Sequence, residues 1–240
     1  MLRHFFLTFA LIVSVTASPS VSAQESIEAL VEKEDYEAAF QKAEAAAQTG
    51  DTLAHAWLGS FYEHGQGVAE NLTKAVQHYR VAIAHGEHSY PEWRVGVLID
   101  EGKAEGMLEE AVQLFERAAA RGYSNAMVSL AVMQATGRGT PENYIAALDS
   151  YMNAARAGNS HGIQGVGVMF ALGQGVEQDS AEAAAWFMIA ALAGNERGRS
   201  NFDRMVADKS QSEIDAITER ATEIAEELGL LSDEPVANEQ

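Results

Sequence analysis

Residues 51–86 read DTLAHAWLGSFYEHGQGVAENLTKAVQHYRVAIAHG, and this stretch decides the fold. Its first half carries Ala54, Leu58, Phe61 and Tyr62 at the i, i+4, i+7, i+8 spacing of a helix packed along one side. Gly65-Gln66-Gly67 then stops that helix, because two glycines one residue apart let the backbone enter the left-handed region. Val68 follows as an apolar anchor for the turn. Asn71 can cap a second helix through its side-chain oxygen. In that second helix Ala75, Tyr79 and Ala82 share a face, and Gly86 ends it.

The same pattern recurs along the chain. Gly50, Gly86, Gly122, Gly158 and Gly194 stand at a constant interval and define four units: 51–86, 87–122, 123–158 and 159–194. A period of this size marks a helix–turn–helix solenoid. First-helix stripes reappear as Ala126, Leu130, Met133, Gln134 and as Gly162, Val166, Met169, Phe170. The glycine turn reappears as Gly137-Arg138-Gly139 and Gly173-Gln174-Gly175, and the cap as Asn143 and Asp179. Asp179 with Glu182 has the spacing of a capping box. Second-helix aromatics align as Tyr79, Phe115, Tyr151 and Phe187. Flanking alanines align as Ala75, Ala111, Ala147, Ala183 and as Ala82, Ala118, Ala154, Ala190. Small residues there let helices approach closely while one aromatic fills each gap.

The second unit is irregular. Pro91, Val95, Gly96, Ile99 and Gly102 match the first-helix pattern only after a one-residue insertion. Its turn, Gly102-Lys103-Ala104-Glu105-Gly106, lacks the paired glycines, and Met107 stands at the capping position. A distorted turn is expected there. The ends read as caps: helices within 24–50, with Tyr36, Ala39, Phe40, Ala43 and Ala46 inward, and helices within 195–228. Ser212 with Asp215 has capping-box spacing for the last helix, whose inner face is Ile214, Ile217, Ala221, Ile224 and Leu228. Residues 229–240 hold Pro235 and few apolar groups and are expected to be a disordered tail.

Composition narrows the function classes. Arg3 and His4 precede an apolar run, Phe5 to Ala17, that is too short to span a bilayer. Val21-Ser22-Ala23 offers small residues to a secretory peptidase, so residues 1–23 are expected to be a signal peptide and the mature chain to begin at Gln24. Lys and Arg number 16 against 35 Asp and Glu, for a net charge of −19. Loss of the leader removes Arg3 and no acid. Such a surface repels nucleic acid and anionic membranes and favours cationic partners. With no cysteine, disulfides and a lipoprotein anchor are both excluded.

The unit Ala-x-x-x-Leu-Gly-x-x-Tyr-x-x-Gly-x-Gly-Val, followed by Asn or Asp, Lys-Ala, an aromatic and Ala, resembles the Sel1-like repeat, a relative of the tetratricopeptide repeat. Ala54, Leu58, Gly59, Tyr62, Gly65, Gly67, Val68, Lys74, Ala75, Tyr79 and Ala82 carry the likeness, and Trp186-Phe187 with Ala190-Ala191 extend it in the fourth unit. The resemblance spans 36–228 and implies an all-α fold, a right-handed α-solenoid of helix-turn-helix repeats with a concave groove lined by first helices. It also implies an exported, non-catalytic adaptor with a protein or peptide partner in the periplasm or envelope, as in members that restrain a sensor kinase. A cysteine-rich branch of the family is linked to β-lactam hydrolysis, and this chain has none of those cysteines. Fold alone does not fix function.

Candidate chemistry is sparse. Gly158-Asn159-Ser160-His161-Gly162 fits a nucleophile-elbow pattern, which would support a hydrolase acting on cell-wall or β-lactam substrates, but that motif requires a strand before the serine. His85, His88, His64 and His78 lack the helical i, i+4 pairing of a zinc enzyme. No cofactor and no metal site is expected. Binding candidates come from positions that vary between repeats. Trp57 aligns with Arg94, Ser129 and Gly165, so packing does not demand tryptophan there, and Trp and Arg are enriched at interface hot spots. Trp57, Arg94, His64 and Trp93 are therefore the candidate concave-face residues, with packing of Trp57 against the N-terminal helices as its alternative role.

Overall fold

The computed structural model describes residues 27–86 and 88–230. The expected leader at 1–23 and the tail beyond residue 230 lie outside the described residues. Residues 27–32 are helical. Then follow α1 (Tyr36–Gln48), α2 (Thr52–His64), α3 (Leu72–His85), α4 (Ser89–Asp100), α5 (Leu108–Ala120), α6 (Ser124–Thr136), α7 (Tyr144–Arg156), α8 (Ser160–Leu172), α9 (Ser180–Leu192), α10 (Glu196–Val206) and α11 (Gln211–Glu227). Among the described residues there is no strand. The fold is all-α, an α-solenoid of Sel1-like helix pairs. The chain divides into two compact units, Met1–Ala82 and Ile83–Gln240.

In the first unit α1 packs on α2, and α2 meets α3 where Gly59 abuts Tyr79 and His55 meets His78. Gly65 ends α2 in the left-handed region (φ 64°), its N–H returning to the Phe61 carbonyl. Gly67 has a second reason to be glycine: a methyl group there would overlap the Tyr36 carbonyl at the start of α1. The paired glycines thus stop one helix and seat the turn on the helix before it. Asn71 accepts from the Lys74 N–H at 3.0 Å. Tyr79 is fully buried and lies so close to Gly59 that a side chain there would strike its ring.

In the second unit each helix packs on the next from α4 to α10, and α11 returns to α9. First helices also lie side by side, α4 against α6 and α6 against α8. The turn logic repeats: Gly139 sits on the Leu108 backbone and Gly175 on that of Tyr144. Asn143 and Asp179 accept backbone N–H bonds from the first turns of α7 and α9. Sister residues just after the period glycines cap first helices and tie repeats together. Asn159 accepts from His161 and Gly162 N–H while donating to Ser124 Oγ and Asn125 Oδ1. Asn195 caps α10 and donates to the Ser160 carbonyl.

Two capping expectations need correction. Asp179 accepts from Glu182 N–H, but Glu182 does not return the bond. Its carboxylate instead takes Trp186 Nε1 at 3.1 Å and both arms of Arg220 on α11, at 2.8 and 3.2 Å. The last helix begins two residues earlier than Ser212 implied. Ser210 and Glu213 form the reciprocal box, because a glutamate reaches back to the cap N–H where the shorter Asp215 does not.

The irregular turn is distorted as the missing glycine pair requires. Lys103 and Ala104 N–H both converge on the Leu98 carbonyl. Met107 caps α5 without a side-chain bond and stands 70% exposed. Arg138, from the next repeat's turn, braces Asp100 at both its carbonyl and its carboxylate.

Candidate binding face

In the second unit α4 places Tyr90, Trp93 and Arg94 at i, i+3 and i+4, so they share one helix face. Trp93 lies 5.9 Å from Tyr90 and 5.6 Å from Tyr123 between ring centroids, tilted by 50° and 53°. The Arg94 guanidinium stands over the indole at 5.9 Å, within cation–π range. All four side chains are half-buried.

A hydrogen-bond chain fixes this platform. Trp93 Nε1 donates to Ser129 Oγ at 3.1 Å, and Ser129 Oγ donates to the Asn125 carbonyl at 3.1 Å. Asn125 Oδ1 in turn accepts from Asn159 Nδ2 at 2.8 Å. Burial pushes the Tyr123 hydroxyl up to about 12, against a bond to Asn125 that favours the ionised form. Tyr123 therefore stays neutral at ordinary pH. The cluster offers aromatic faces, one cation and hydroxyl groups on two neighbouring repeats, braced by Asn159 of a third. Aromatic faces, a cation and hydroxyls are groups suited to recognition.

Of the sequence candidates, Trp93 and Arg94 meet here. Trp57 and His64 lie in the other unit. Trp57 is a core residue, 6% exposed, stacked on Phe61 at 5.9 Å, and Phe61 packs edge-on against Phe40 of α1. Repeat alignment suggested an open position because Phe40 belongs to the N-terminal half-unit, which no internal repeat possesses. His64 is exposed at the end of α2, its Nδ1 2.9 Å from the Ser60 carbonyl. Tyr90, Tyr123 and Asn125 were not anticipated. The signal available was the i, i+3, i+4 spacing of Tyr90, Trp93 and Arg94.

Ser160 opens α8 directly after Asn159, the residue that caps it. It sits at a helix–helix junction, with none of the strand that a nucleophile elbow needs. Among the described residues no three His, Cys, Asp or Glu side chains converge to hold a metal, and no helix is long and apolar enough to cross a membrane. A hollow of about 320 Å³ between α8, α9 and α11 is lined by Ile163, Met188, Leu192, Ala221, Ala225 and Leu230 among others, without a titratable group.

Comparison with known proteins follows the same architecture. The model of the Sel1 repeat family matches residues 52–87, 93–123, 124–159 and 161–195. No curated protein matches the chain. A Sel1 repeat protein from Oxalobacter formigenes superposes with a TM-score of 0.71 at 25% identity, over 85% of this chain and 88% of that one. A protective antigen of uropathogenic Escherichia coli with an SLR fold gives 0.72 at 22% identity over 84% of this chain. The chain spans only 45% of that antigen's length. An immunity protein from Pseudomonas aeruginosa gives 0.51 at 17% identity, over 91% and 83% of the two chains. The likenesses to the antigen and the immunity protein concern the fold alone.

Proposed function

Because the chain belongs to the Sel1 repeat family, a scaffold type for protein–protein contact, we propose that it is an exported adaptor that holds a protein or peptide partner in the periplasm or envelope. The observation that carries this reading is the fixed platform of Tyr90, Trp93, Arg94 and Tyr123. Tryptophan, tyrosine and arginine dominate binding energy at interfaces, and side chains already held by hydrogen bonds lose little freedom on binding. Export is supported by the basic start, the short apolar run and Val21-Ser22-Ala23. The acidic excess favours a partner with a basic surface, which it would steer into contact. A sensor-kinase ectodomain is the finer form of the proposal.

The test is capture of a basic partner from envelope extract by the mature chain and by a Trp93→Ala/Arg94→Ala variant. Helical content and melting are followed in both. The account expects a saturable partner lost from the variant at least tenfold, with the fold intact. Equal capture by both proteins would contradict it. Trp57→Ala is unsuitable here, since truncating a buried tryptophan costs about 3–5 kcal/mol of stability.

A further inference from the structure

The first repeat places two histidines where its sister repeats place mainly apolar side chains. His55 aligns with Glu92, Met127 and Ile163, and His78 with Leu114, Ser150 and Trp186. Ile163, Leu114 and Trp186 are only 0%, 3% and 3% exposed, so apolar side chains can meet the packing need at these positions. In the first repeat, His55 on α2 and His78 on α3 bring their Nδ1 atoms to 3.0 Å. Their rings stack at 5.2 Å and 29°. Tyr62 stacks on His78 at 5.5 Å and 10°, so the pair is held in place.

A contact between two ring nitrogens needs one N–H and one lone pair. Two neutral rings can supply this, and so can one neutral ring with one imidazolium. Two imidazolium rings cannot, because N–H would face N–H and charge would face charge. We infer that His55 and His78 form a proton-sensitive latch between the two helices of the first repeat, closed while one ring is neutral and opened by the second proton.

The surroundings set the direction. Burial, then the His55 ring, then the Lys74 ammonium hold His78 below its ordinary value of 6.5. Lys74, on the same helix, stands 4.9 Å over the Tyr62 ring. From α2, Glu63 accepts the Tyr79 hydroxyl at 2.8 Å. From α1, Phe40 reaches the stack as an apolar ring 5.4 Å from Tyr62. Unfolded His78 takes its proton near 6.5, while the folded group takes it only at lower pH. The unfolded state therefore binds more protons in that window. Stability from the latch is complete above 6.5 and is lost as pH falls through the folded value.

The test compares thermal unfolding of the full chain with that of a His55→Met/His78→Leu variant, at about pH 7.5 and about pH 5. These substitutions install side chains found at sister positions. Acid protonates carboxylates in both proteins, so the difference between them isolates the pair. The natural chain should lose about 2–4 °C of melting temperature relative to the variant on acidification. Equal acid shifts overturn the latch. Should the double variant fail to fold, NMR titration of the natural chain decides. Two imidazole steps separated in pH, with His78 below 6.5, support the latch; two coincident steps at 6.5 overturn it.

Discussion

Arg117 Nε donates to Glu92 Oε1 at 2.7 Å, and the accepting carboxylate is only 3% exposed. Arg121 grips the other oxygen, and the two arginines are 46% and 30% exposed. The irregular second repeat is therefore pinned by a buried acid on α4 and two half-open cations, Arg117 on α5 and Arg121 at its C-cap. The burial is one-sided, so the cost of breaking the cluster must be one-sided too. Glu92→Leu leaves arginines that water can solvate, and should cost about 1 kcal/mol. Arg117→Ala with Arg121→Ala strands a buried carboxylate and should cost about 3–5 kcal/mol. Urea unfolding measures both, and equal losses would contradict the assignment.

Glycines of similar backbone shape should differ sharply in tolerance. Gly67 and Gly50 both have positive φ, at 69° and 90°. A methyl group at Gly67 overlaps the Tyr36 carbonyl, while one at Gly50 meets nothing within 4 Å. Gly50→Ala should cost about 1–2 kcal/mol, the left-handed penalty alone. Gly67→Ala adds overpacking and should cost about 3 kcal/mol or more. Denaturant midpoints for the two variants test this.

The last helix should have its own acid response. The Ser210 hydroxyl, then its backbone N–H, then Lys209 hold Glu213 below its ordinary value of 4.5. A carboxylate lowered in the folded state stabilises above 4.5, and that support is lost as pH falls through the folded value. Carbon-detected NMR should find Glu213 titrating below 4.5 and moving up toward it in Ser210→Ala. An unmoved midpoint would show that the box does not set it.

Much of this molecule was legible in its sequence because the signals were local. A left-handed residue after a helix wants glycine, and a helix start wants a short polar side chain, so Gly65, Asn71, Asn143 and Asp179 announced their roles. The Ser212–Asp215 spacing misled because Ser210 also precedes an acid by three residues, and only side-chain length separates Glu213 from Asp215. The binding face was half legible. Arg94, at a position that varies between repeats, and Trp93 beside it stood among the candidates, but their neighbours Tyr123 and Ser129 sit a repeat away, where spacing along the chain carries no contact. For Trp57 the packing alternative is the one observed: it is buried and stacks on Phe61, which meets Phe40 of α1 outside the repeated pattern.

The central claim is that contact is made along the first-helix face of the second unit. Site-specific photo-cross-linking in the intact envelope tests it most directly, with a benzophenone amino acid replacing either Tyr90 on α4 or Asp149 on α7. The account predicts a discrete protein adduct from position 90, lost when Arg94→Ala is added, and none from position 149. Adducts from 149 alone, or equally from both positions, would contradict it.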